Sequence, residues 1–172
     1  MNTYYTIDEK YLQAVDKVTW KTPKALQLFN EIISNDPLYA KAHYQLGKIY
    51  YYDLEDHQTA GYHFKTCMEL EPAFPGNYYH YLHLVVFLNM EKQVRLIAEE
   101  ALTVPGVVVA DIYELLGLSA EKNKQLEKAL TAYNNAFDTV TDNDDKRNIE
   151  KAIERVTAKM QRIQAYKYHL IE

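Results

Sequence analysis

An internal period of 34 to 35 residues governs what this chain can fold into. Ala25 and Phe29 stand four apart, as do Ala60 and Phe64, and Ala129 and Tyr133; Val94 and Ala98 hold the same frame between the second and third pairs. The steps from Ala25 to Ala60 to Val94 to Ala129 are 35, 34 and 35 residues. Three residues after each aromatic position comes a mostly small side chain, in turn Ile32, Cys67, Ala101 and Ala136, and Pro37 and Pro72 close the first two units. A period of this length marks an array of small units, each with an apolar face that only the next unit can bury.

A second signature precedes each pair. Leu46-Gly47 with Tyr50 recurs 35 residues later as Tyr81-Leu82 with Val85, and after another 35 as Leu116-Gly117 with Ala120; Leu12 stands 34 residues before Leu46. Each unit therefore carries two short helices, the first with the Leu-Gly pair and the second with the alanine and aromatic. Local punctuation agrees. Thr6 with Glu9 forms a capping box, and Thr22-Pro23 reads as an N-cap followed by proline at the first helical position. Asp56 is placed to cap the second helix of its unit, and Pro75-Gly76-Asn77 to break the chain before the next helix. The second unit holds one extra residue, expected in a loop among Asp53 to Asp56.

These residues resemble the tetratricopeptide repeat, whose pattern is W-x2-L-G-x2-Y, then A-x3-F, then P, at about 34 residues. Ala40 to Pro72 matches best, with Leu46-Gly47, Tyr50, Ala60, Phe64 and Pro72 in place and His43 where Trp would stand. The fourth unit keeps Leu116-Gly117, Ala129, Tyr133 and Ala136 but has Thr141 for the proline. The first keeps its second helix, with Gln13 and Asp16 in place of Gly and Tyr. The third departs most, with Leu82 for Gly, Val94 for Ala and Ala98 for the aromatic. The resemblance covers about residues 6–141. It implies an all-α, right-handed solenoid of about four helix-turn-helix units, roughly 6–39, 40–74, 75–109 and 110–141. Pentatricopeptide repeats share the length and read RNA, but the acidic balance and this motif argue against them.

Composition supports the helical reading. Gly and Pro are five each in 172 residues, about half the usual share, too few for the turns of an all-β fold. The net charge of −5 argues against nucleic acid as a partner. A single cysteine excludes an internal disulfide framework and a cysteine-cluster zinc site. No apolar run approaches a membrane span, and the polar N-terminus is unlike a signal peptide. The expectation is a soluble protein of a reducing compartment, the cytoplasm.

Residues 142–172 behave differently from the repeats. Thr141 with Asp144 reads as another capping box, and no Gly or Pro follows. Ile149, Ile153, Val156, Met160, Ile163 and Leu170 recur in steps of four and three, with Lys167 in the missing slot. This predicts a long amphipathic helix of about 28 residues, ~42 Å. Its first expected role is to cap the last repeat; its second is a seam with another copy, giving a homodimer.

Chemistry is sparse. His63 and Cys67 share a helix face, but the matching positions Ile32, Ala101 and Ala136 make Cys67 a packing residue. His80 and His83 lack the spacing of a metalloprotease pair. Asp142, Asp144 and Asp145 open like a calcium loop, yet Arg147 stands where its glycine should be, and capping explains them better. With no phosphate loop or nucleophile motif, no catalysis, cofactor or metal is expected.

What the resemblance implies for function is a concave groove lined by first-helix residues. Carried onto this chain they are Lys10, Ala14 and Lys17; Lys41, Tyr44, Lys48, Tyr51 and Tyr52; Tyr79, His83, Val86 and Phe87; and Asp111, Glu114, Leu118, Glu121 and Lys122. The positions by which chaperone-binding relatives clamp a terminal carboxylate read Lys10, Ala14, Gln45, Gly76 and His80 in one frame. In the next frame they read Tyr44, Lys48, His80, Asp111 and Leu115. Neither supplies the donors. The expected function is a scaffold that holds a peptide or helix of another protein, with aromatic anchors and charged rims. The alternatives are a homo-oligomer built through residues 142–172 or a small secretion-type chaperone.

Overall fold

Helix boundaries follow the local chemistry at most junctions. In the computed structural model, which describes residues 6–18 and 23–169, the elements are all helical among the described residues. They run α1 Ile7–Val18, α2 Pro23–Asn35, α3 Ala40–Lys48, α4 His57–Leu70, α5 Pro75–Phe87, α6 Glu91–Ala101, α7 Val109–Lys122, α8 Leu126–Thr139 and α9 Asn143–His169. Thr22, the Lys167 side chain and Leu170 lie outside the described residues. The capping box at Thr6 forms as expected: the Glu9 N–H donates to Thr6 Oγ1 at 3.2 Å, and the Thr6 N–H to Glu9 Oε2 at 2.7 Å. Asp56 caps α4, its carboxylate accepting from the Thr59 N–H at 3.0 Å.

Three expectations need correction. Pro75-Gly76-Asn77 does not break the chain; Pro75 opens α5, where its missing N–H costs nothing. Asn77 is then buried in the first turn and donates its amide to the Phe64 carbonyl at 2.9 Å. At α9 the cap is Asp142 rather than Thr141, since Asp142 Oδ1 accepts from the Asp144 and Asp145 N–H groups at 2.8 and 3.1 Å. Finally, the extra residue of the second unit is absorbed by a π turn, Ile49–Asp53, that extends α3.

Helix ends show how that extra residue fits. Glu55, Asn89 and Lys124 hold the same frame and all have positive φ, at 54°, 56° and 59°, the left-handed stop that ends a helix. After Asn89 and Lys124, the Met90 N–H reaches back five residues to the Val85 carbonyl, and the Gln125 N–H five to Ala120. After Glu55, the Asp56 N–H must reach six, to Tyr50. The stop is conserved in geometry, and the helix before it is one residue longer.

The chain divides into two compact units, one up to Leu84 and one from Val85 on. In the first, Ala25, Phe29 and Ile32 of α2 pack with Ala14, Ala42, Leu46 and Ile49. In the second, Leu126, Ala129, Tyr133 and Ala136 of α8 pack with Ile149, Ala152 and Val156 of α9. Each unit contains one near-contact of the same kind. A Cβ on Gly47 would lie 2.6 Å from Phe64, and one on Gly117 would lie 2.6 Å from Tyr133. These helices approach until ring meets backbone, so glycine is required there.

Candidate functional site

In the first unit the π turn sets the geometry. It adds a residue to the turn that carries Tyr50, Tyr51 and Tyr52, which changes where the last two rings point. The Tyr51 hydroxyl shares a 2.7 Å hydrogen bond with His83 Nδ1, and Tyr52 a 2.8 Å one with His80 Nδ1. Tyr51 is buried by this, while Tyr52 and Tyr79 stay 46% and 39% exposed. Tyr79 rests against both histidine rings. The result is a held array of aromatic side chains on one side of α3, the π turn and α5.

Lys48 sits at the edge of this array. Its ammonium lies 5.2 Å from the Tyr44 ring centre, a cation–π distance. Tyr44 is in turn held edge-on by Phe74 at 5.0 Å. Burial alone lowers the lysine's pKa, and among the described residues no carboxylate pairs with it. Burial, then Lys48 and His83, push the His80 pKa down to about 4, so that ring is neutral at pH 7. Burial also raises the Tyr44 hydroxyl to about 12, which keeps it a donor.

The same unit holds a second histidine pair. His43 and His63 are buried with their Nδ1 atoms 3.0 Å apart, and His43 Nε2 lies 3.0 Å from the Pro37 carbonyl. A carbonyl only accepts, so His43 Nε2–H donates to it, and His43 Nδ1 is left to accept from His63. Burial, then His43, lower the His63 pKa to about 4. Tyr50 stacks on His63 at 5.6 Å. His43 thus fills the position of the pattern's Trp as part of a buried ring cluster. Cys67 is buried on the same helix as His63, with its thiol pushed up to about 12 by burial.

The second unit presents carboxylates. Asp111 and Glu114 are adjacent on α7, both raised in pKa by burial first and by neighbouring acids second. No described cation pairs with either. Exposed Leu118 and Phe87 belong to the same unit.

Several residues placed on the groove by sequence have other employment. Val86 is 2% exposed and belongs to the core, because α5 is apolar on nearly every side. Ala14 is fully buried. Lys122 donates to the Val86 and Phe87 carbonyls at 2.7 and 3.2 Å, closing the C-terminus of α5. Glu121 is a fastener: Arg155 Nη2 lies at 2.8 Å, Lys159 Nζ at 2.7 Å and the Tyr133 hydroxyl at 3.0 Å. Those bonds, Arg155's first, hold its pKa near about 2. Lys10, Lys41, Tyr44, Lys48, Tyr52, Tyr79, His83, Phe87, Asp111, Glu114 and Leu118 keep some accessible surface. Among the described residues no group of three or more His, Cys, Asp or Glu could hold a metal, and no helix is long and apolar enough to cross a membrane.

No family model matches the sequence, and no curated protein matches it either. Solved structures do. Two of them, MamA residues 41 to the end from Desulfovibrio magneticus RS-1 and a MamA RS-1 double mutant, each align with TM-score 0.69 at 20% identity. Each alignment covers 92% of this chain and 96% of the other. The likeness shows the fold, an all-helical tetratricopeptide-like one.

Proposed function

We propose that this chain is a non-catalytic protein-binding scaffold, and that its two units each offer a recognition patch of opposite charge preference. The observation that carries the reading is Lys48, a half-buried cation set beside Tyr44 and left without a carboxylate. Holding a lysine in that state costs stability unless something outside the chain repays it. Beside exposed Tyr52 and Tyr79 it suits a partner segment that brings an acidic side chain next to an apolar one. The Asp111 and Glu114 patch, with Leu118 and Phe87, suits lysine or arginine flanked by apolar residues.

Once a partner is in hand, stopped-flow and surface-binding kinetics test the reading. Lys48→Glu slows association, most at low salt, because rim charge acts on encounter. Tyr79→Ala or Phe87→Ala speeds release by an amount worth about 1–2 kcal/mol or more. Unchanged kinetics in all three variants would overturn it. A second reading, a homodimer through α9, is favoured by one observation: Ile163 and Tyr166 are 50% and 75% exposed beyond the part of α9 that covers α8. Light scattering of an Ile163→Glu, Tyr166→Glu chain separates the two, since a dimer lost on substitution supports the second.

A further inference from the structure

The other side of α7 carries a feature that neither patch explains. Tyr113, Leu116 and Ala120 project opposite Asp111, Glu114 and Leu118 at 3.6 residues per turn. Together with Val94 of α6 and Ala132 of α8 they floor a groove of about 810 Å³ that lies wholly within the second unit. Along α8 it runs from Glu127 to Asn135, about 12 Å or a little over two helical turns.

Charge on its rim is patterned. Glu91 and Glu127 sit in the first turns of α6 and α8, where the helix dipole favours them. Lys92, Arg95 and Lys128 line the same groove. Lys92 and Lys128 also stand in first turns, where the dipole opposes a cation. None of the three cations has an ion pair or side-chain hydrogen bond among the described residues. Against Glu91 and Glu127, these three cations give the apolar-floored channel a net charge of +1 in a chain of net charge −5.

We infer that this groove docks an amphipathic helix of a partner protein, its apolar face on Leu116 and Ala120 and its flanks acidic. The channel length fits the two turns over which such a helix presents anchors at i, i+3 or i+4, and i+7. The cations select carboxylates along the flanks and disfavour lysine there. Because it uses the opposite face of α7, it is a further interaction surface, distinct from the Asp111 patch.

The test is a displayed library of ~16-residue helices, with leucine fixed along one face and the flanking positions varied between Glu and Lys. It is selected against the full chain. Winners are expected to carry Glu on the flanks. They should bind an Arg95→Glu, Lys128→Glu chain about tenfold more weakly or worse, and shift the amide resonances of Leu116, Ala120 and Ala132. Both substituted side chains are exposed, and the melting temperature of the variant verifies its fold. The proposal is overturned by a selection without winners, by winners indifferent to Glu or Lys, or by equal binding to the variant. A wild-type dimer that the charge reversal dissociates on sedimentation would also overturn it, assigning the groove to a second copy of this chain.

Discussion

The two units solve one packing problem with different polar chemistry. Both bring a glycine against an aromatic ring, Gly47 on Phe64 and Gly117 on Tyr133. Around that shared contact the first unit joins its helices through ring-to-ring hydrogen bonds, His43 to His63, Tyr51 to His83 and Tyr52 to His80. The second uses charge: the Tyr133 ring that touches Gly117 also donates to Glu121, which α9 grips with Arg155 and Lys159. The lesson is that backbone approach is set by side-chain volume, while the polar scheme layered on it is free to differ and sets how each unit responds to pH and salt.

The largest expected effect tests the shared part. Gly47→Leu and Gly117→Leu should each cost at the upper end of roughly 1–3 kcal/mol or beyond, since the inserted bulk has no room. Ala60→Leu, at a fully buried position of α4, belongs with them. Gln58→Leu, exposed at the start of α4, should be nearly silent. Urea unfolding measures all four, and equal midpoints would break the comparison at its root.

Acid should then separate the units. His63 titrates near 6.5 when unfolded and at about 4 when folded, so the unfolded chain binds more protons in that window. Stability of the first unit therefore falls as pH drops from about 6.5 to 4, by roughly 3 kcal/mol from this residue. Glu121 has the opposite sign of chemistry, a carboxylate lowered from 4.5 to about 2. Its contribution persists until the pH falls through that lower range. Amide exchange followed by NMR between pH 7 and 4 should show first-unit amides losing protection before those of α7 and α8. Simultaneous loss would contradict the assignment.

Salt sharpens the same contrast. Glu121→Gln should cost about 1.5–3 kcal/mol, the range for hydrogen bonds to a charged group, and part of that cost should shrink at high salt because Arg155 and Lys159 are half-exposed. The ring pair His43–His63 should show no such dependence. The smallest effect concerns the cap of α9: Asp142→Ala should cost about 1 kcal/mol, while Thr141→Ala leaves the melting temperature unchanged.

Much of this was legible in the sequence, for identifiable reasons. The Gly, Ala and aromatic positions recur because volume is what the helix contact constrains, and volume is written in residue type. Val86 was misplaced because α5 is apolar along most of its length, so periodicity cannot say which side is inside. Glu121 and Lys122 were read as rim charges because their partners lie 34 to 38 residues away, on α9 and at the end of α5. A signal for Glu121 did exist: it is the one acid in the last two turns of α7, and α9 carries Arg155 and Lys159 one helical turn apart. Tyr44, Tyr51, Tyr52 and Tyr79 were expected on one face, but the pairing of Tyr51 with His83 and Tyr52 with His80 was not, because a π turn has no residue signature, only a count.

That count has a consequence for how such a chain can change. Removing one residue from the stretch Tyr51 to Leu54 would restore the spacing of the other units and leave Gly47, Ala60, Phe64 and the Glu55 stop as they are. It would also rephase the end of the first helix, so that no tyrosine there met His80 and His83 as Tyr52 and Tyr51 now do. A single-codon deletion could thus silence the surface while sparing the scaffold, a separation that no substitution in the same segment achieves as cleanly.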